Sequence, residues 1–148
     1  MGFLNDLTIL TNKNKKADLL GKESTTPLKK ILIVEDEASV ANVLESKLKP
    51  AGYEVIKAEN GQMGLEMVSS QKPQLIILDL LMPVMDGKTM LRRLRDIPEF
   101  KALPVIILTQ AGSIDNMRET HMYYNAVLFL VKSNIVIEGI LEYVRQVI

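Results

Sequence analysis

The sequence contains no cysteine, no tryptophan and a single histidine, His121. The missing cysteine excludes disulfides, thiolate zinc sites and cysteine nucleophiles together, and it suits a reducing compartment. An excess of one charge is also missing, because 18 Lys and Arg balance 18 Asp and Glu. No global field therefore draws the chain to nucleic acid or to an anionic membrane. No apolar run approaches the length of a bilayer span. The opening MGFLNDLTIL lacks the basic start, long apolar centre and cleavage site of a signal peptide, and Asp6 stands where a myristoylation signal needs Ser or Thr. The expectation is a cytoplasmic protein with neither nucleic acid nor membrane as partner.

What is present suits one domain: 148 residues can bury a full core without metal or disulfide staples. Residues 1–28 differ from the rest. TNKNKKADLLGKESTTP is polar, lysine-rich and without sustained periodicity. It reads as an arm or linker, either disordered or docked by a short amphipathic helix on Phe3, Leu4, Leu7 and Leu10.

From residue 29 to 148, short apolar runs alternate with helical patterns. Strands are predicted at 31–34, 53–58, 75–78, 105–108 and 127–131. Helices are predicted at 38–49 on Val40, Val43, Leu44 and Leu48, at 62–70 on Leu65 and Val68, and at about 88–95 on Met90, Leu91 and Leu94. A polar helix follows at 113–122. The last helix carries the stripe Ile137, Ile140, Leu141, Val144, Val147 and Ile148, capped by Ser133 or Asn134. Five βα units imply an α/β fold, a five-stranded parallel sheet doubly wound with right-handed crossovers, of flavodoxin-like (βα)5 type.

In such sheets the binding crevice lies outside the C-terminal strand ends. There the chain places Glu35 and Asp36 after strand one, Asp79 after the buried run LIIL, Thr109 after strand four and Lys132 after strand five. Each acid alone is an ordinary turn or cap residue. Three carboxylates brought together, however, need a compensating charge. Oxygen donors, with no cysteine and one histidine, favour Mg2+ over softer metals. A carboxylate beside Mg2+, a lysine and a hydroxyl suits phosphoryl transfer to Asp79.

The motifs ILIVEDE, LIILDLLMPVMDG, VIILT and LFLVK, in this order and approximate spacing, resemble the receiver domain of two-component response regulators over residues 29–148. The resemblance implies Asp79 as phospho-acceptor and Lys132 as the partner of the phosphoryl group. It implies Mg2+ held by Asp36, Asp79 and the Leu81 backbone carbonyl, with Glu35 acting through water. Thr109 and Phe129 are implied as the switch pair, and a histidine kinase or phosphotransfer protein as the donor. With no room left after the last helix for an output domain, the expected output is a separate downstream protein.

Some positions depart from the family pattern. Leu81 cannot orient a water, and Gln110 is larger than the usual small residue, so both are expected to tune dephosphorylation towards slowness. Ser133 replaces the usual proline, which argues against a cis bond there. Phe129 lacks the hydroxyl of the commoner tyrosine. Met122, Tyr123, Tyr124, Ile135, Val136 and Tyr143 read equally as ordinary packing or as a homodimer or partner surface. His121 reads as a solvated residue. Two other readings compete: a pseudo-receiver that signals by contact without phosphate, and a Mg2+-dependent phosphohydrolase. The second lacks the general acid such enzymes carry two residues after the nucleophile, where Leu81 stands, so the chain is expected not to be an enzyme beyond its own phosphorylation and dephosphorylation.

Overall fold

A computed structural model describes residues 26–110 and 126–148. Most of the N-terminal arm, the polar helix predicted at 113–122, His121, Tyr123 and Tyr124 lie outside the described residues. The elements in chain order are β1 (Lys30–Val34), α1 (Ala38–Leu48), a 3-10 turn (Lys49–Ala51), β2 (Glu54–Ala58), α2 (Gly61–Gln71) and β3 (Leu75–Leu78). There follow α3 (Gly87–Asp96), a second 3-10 turn (Pro98–Phe100), β4 (Val105–Thr109), β5 (Leu128–Val131), α4 (Asn134–Glu138) and α5 (Ile140–Val147).

The strands form one parallel sheet in the order β2-β1-β3-β4-β5. Because strand side chains alternate, each strand feeds both faces. Leu32, Val34, Ile76, Leu78, Val105 and Ile107 pack against Val68 of α2 and Met90, Leu91 and Leu94 of α3. Ile31, Ile33, Leu75, Ile77, Ile106 and Leu108 pack against Ala41, Leu44 and Leu48 of α1 and Ile140 and Val144 of α5. That double cover explains the continuous apolar runs, since a strand buried on both faces has no polar alternation to show.

The chain winds outward to β2 on one side of β1 and to β3 on the other. The strand order therefore reverses between β1 and β3, where the crevice of an open parallel sheet opens. Local signals set the helix starts. Asn60 caps α2 by accepting from Met63 N at 2.9 Å, Asp86 caps α3 by accepting from Thr89 N at 2.7 Å, and Ser133 caps α4 by accepting from Val136 N at 3.3 Å.

One expectation about helices is incomplete and one needs correction. On α2 the innermost positions go to Gly61 and Gly64 along with Val68, while Leu65 is only partly buried. A Cβ on Gly64 would stand 2.8 Å from Met90 Cε, and one on Gly61 2.8 Å from the Met85 carbonyl oxygen. Close approach, rather than apolar periodicity, sets that face. The last helix is also not continuous: it divides at Gly139, at φ −92° and ψ 8°, into α4 and α5. Of the surplus apolar residues, Val136 and Tyr143 pack against the core, whereas Ile135 is exposed.

Candidate functional site

The ladder continues one residue past β1 and β3. Glu35 N donates to Ala58 O at 3.0 Å and Asp79 N donates to Val34 O at 3.0 Å, so both acids begin at the reversal point of the strand order. Their side chains are nearly sealed from solvent, as is Thr109 at the end of β4. Lys132 enters from β5, its backbone N–H donating to Thr109 O at 2.6 Å. Asp36, Leu81 and Gln110 are exposed at the rim.

Gly87 is what lets the turn after Asp79 close. Its N–H donates to Leu80 O at 2.9 Å, and any Cβ there would fall 2.2 Å from the Asp79 carbonyl oxygen. The segment MPVMDG thus folds back onto the backbone of the acid that precedes it.

At the centre, the Lys132 ammonium lies 3.0 Å from Glu35 Oε1, 2.9 Å from Glu35 Oε2 and 3.4 Å from Asp79 Oδ2. The Leu81 N–H donates to Asp79 Oδ1 at 3.2 Å. One oxygen of each of Glu35, Asp36 and Asp79 lies within 4.8 Å of the others. A cleft of roughly 330 Å3, lined by Asp36, Glu37, Asp79, Leu81, Gln110 and Lys132, leads to them.

Burial pushes the Glu35 carboxyl up to about 7, against the lowering effect of its hydrogen bond to Lys132. Burial pulls Lys132 down, but its bond to Glu35 and the charges of Asp79 and Glu35 outweigh that and leave it raised. A single ammonium among three clustered carboxylate groups leaves net negative charge for a cation to offset. Three carboxylate groups at this spacing, two of them buried, fit a hard divalent cation.

The sequence-predicted residues therefore converge: Lys132 meets Glu35 and Asp79 directly, Asp36 offers an oxygen within 4.8 Å of both acids, and Leu81 and Gln110 line the approach. Phe129 stands beside Ile107 on β5, partly buried against the layer formed with α2 and α3. Among the described residues there is no cis peptide, in agreement with Ser133 after Lys132.

Sequence reading gave no role to Glu37, whose Oε2 lies 3.6 Å from the Lys132 ammonium. It is the N-cap residue of α1 but makes no side-chain cap bond. Its Oε1 instead accepts from Ser39 Oγ at 3.2 Å. The available signal was the third acid of EDE, which resembles a routine helix-start acid.

Among known proteins, the model of the response regulator receiver domain matches residues 31–144. The "Probable transcriptional regulator ycf27" of Porphyra purpurea is 41% identical over 85 residues, 57% of this chain and 34% of the relative. The chain thus spans about a third of that regulator's length. Sporulation initiation phosphotransferase F of Bacillus subtilis is 36% identical over 91 residues, 62% of this chain and 72% of the relative. The crystal structure of the Thermotoga maritima response regulator TrrA in complex with Mg2+-BeF superposes with a TM-score of 0.70 at 29% identity, covering 82% of this chain and 100% of that one. With strand order, buried acids and lysine already in place, these matches leave one conclusion: the chain belongs to the response regulator receiver domain family of two-component signalling.

Proposed function

We propose that Asp79 accepts a phosphoryl group from a phosphohistidine of a partner histidine kinase or phosphotransfer protein, within a receiver spanning residues 29–148, and that the phosphorylated surface then acts on a downstream protein. The observation that carries this reading is the Lys132 ammonium held between the buried carboxylates of Glu35 and Asp79 at the mouth of the cleft. The Leu81 amide fixes Asp79 Oδ1, and Oδ2 faces the ammonium. Lys132 offsets charge on an incoming phosphoryl group as Asp79 attacks.

Mg2+ is the expected cation, with Asp36, Asp79 and the Leu81 carbonyl as direct ligands and Glu35 acting through water. When bound, it offsets negative charge on the transferring group. Thr109 hydrogen-bonds the phosphoryl group after transfer, and Phe129 turns into the space Thr109 leaves, which couples a local charge change to the surface. The cytoplasm is the expected location, in keeping with the absence of cysteine. Among the described residues no helix is long and apolar enough to cross a membrane. The exposed Ile135 keeps a homodimer within this reading.

Intact-mass spectrometry after incubation with a small acyl phosphate tests the proposal. A Mg2+-dependent, hydroxylamine-labile gain of one phosphoryl group, lost in Asp79→Ala, is expected. A folded, Mg2+-binding protein that gains nothing from either the acyl phosphate or a phosphorylated donor protein would refute it.

A further inference from the structure

The Lys132 ammonium is held from two sides. Its inner side meets Glu35 and Asp79, while its outer side meets Glu37 Oε2 at 3.6 Å. Glu37 is itself fixed. Its carboxylate accepts from Ser39 Oγ at 3.2 Å and its backbone N–H donates to Glu35 Oε1 at 3.1 Å. It is more than half exposed and lines the cleft that leads to Asp79, together with Asp36, Leu81 and Gln110. No reading of the phosphotransfer set requires it. It ligates nothing in the proposed metal site and does not cap its own helix.

We infer that Glu37 is a specificity-determining residue of the phosphotransfer pocket, one that disfavours small, free phosphoryl donors. This rests on the reading of Asp79 as phospho-acceptor. The step is balanced as follows: an Asp79 carboxylate oxygen forms a bond to phosphorus as the acyl oxygen–phosphorus bond of the donor breaks. The donor's carboxylate leaves with that electron pair, and no proton is exchanged. The donor phosphoryl is a dianion, and it reaches Asp79 through a mouth where Glu37 places a negative charge. Glu37 also draws on the ammonium the dianion must recruit. A protein donor offsets both effects with contacts elsewhere on its surface, whereas a small acyl phosphate has none to offer.

For a charge and a dianion about 8 Å apart in a water-like dielectric, Coulomb repulsion with ionic screening slows encounter roughly threefold at an ionic strength of some tens of millimolar. At about 1 M the Debye length falls to ~3 Å and the effect disappears.

The test is the second-order rate constant for phosphorylation by acetyl phosphate at saturating Mg2+, across a KCl series, for wild type, Glu37→Gln and Glu37→Asp. Glu37→Gln is expected to react about threefold faster than wild type at low salt and equally fast at about 1 M, with Glu37→Asp restoring the wild-type rate and salt slope. A role for Glu37 confined to packing or to its hydrogen bond with Ser39 would not produce a ratio that closes with salt. Wild type and Glu37→Gln reacting equally at low salt, or a rate ratio that ignores salt, would overturn the assignment of Glu37 alone. No phosphorylation of wild type under any condition, including with a phosphorylated donor protein, would overturn the phospho-acceptor reading and this inference with it.

Discussion

Val84 sits in the turn after Asp79 at φ 69°, and the hydrogen bond from Met85 N to Pro83 O at 2.8 Å closes a three-residue turn around it. That is the strained of the two γ-turn forms, and a β-branched residue occupies it. Val84 is 85% exposed, so removing its side chain forfeits almost no burial. Relief of a left-handed L-residue is worth about 1–2 kcal/mol. The greater freedom of glycine in the unfolded chain offsets about 0.5–1 kcal/mol of that. Val84→Gly should therefore stabilise the fold by roughly 0.5–1 kcal/mol, and Val84→Ala, which removes only the branch, by less than half as much. In urea unfolding the midpoint of Val84→Gly should rise by about 0.3–0.6 M with an unchanged slope. A midpoint that stays or falls, with the slope unchanged, would show that the turn carries no strain.

Gly87→Ala should act in the opposite sense: its Cβ would fall 2.2 Å from the Asp79 carbonyl oxygen, a backbone atom that cannot rotate away. A loss of about 3 kcal/mol or more is expected, read by thermal circular dichroism, and a near-neutral variant would contradict the close approach. Glu35, raised to about 7 from 4.5, binds its proton more tightly in the folded than in the unfolded chain. Its contribution to the metal-free protein is thus full below pH 4.5 and lost as pH rises through about 7. Glu35→Gln should remove that dependence, so the variant gains on wild type between about pH 5 and about pH 8 in urea unfolding, and a gap constant across this window would refute it. Leu81 offers no group to orient a water and the bulk of Gln110 crowds its approach along the cleft, so the phosphorylated form should persist for minutes or longer, and Gln110→Ala should shorten its life. Timed loss of phosphoryl mass checks this; a half-life of seconds, or no change in Gln110→Ala, counts against it.

The elements with one dominant physical cause were legible in the sequence. LIIL, short and bounded by Pro73, Pro83 and Gly87, reads as a strand covered on both faces, and the residues after four strand ends share a crevice once the sheet is parallel. Glu35, Asp36, Asp79 and Lys132 follow from that rule alone. What escaped depends on distances that periodicity does not carry. Apolar spacing pointed to Leu65, yet Gly61 and Gly64 lie inward because Met85 and Met90 press too close for a side chain. The division at Gly139 interrupts a stripe that is apolar on both sides of it, so hydropathy gave no warning. Glu37 was hidden for a different reason: an acid at a helix start is expected to cap, whereas its carboxylate instead accepts from Ser39 Oγ and faces Lys132, far along the chain.

The proposed phosphoryl transfer ends on one carboxylate, that of Asp79. Borohydride reduction of the phosphorylated protein converts an aspartyl phosphate to homoserine, and peptide mapping then locates it. Homoserine is expected at position 79 and at no other aspartate, with none formed when Mg2+ is withheld. Homoserine at Asp36, or a phosphorylated protein whose label survives reduction, would contradict it.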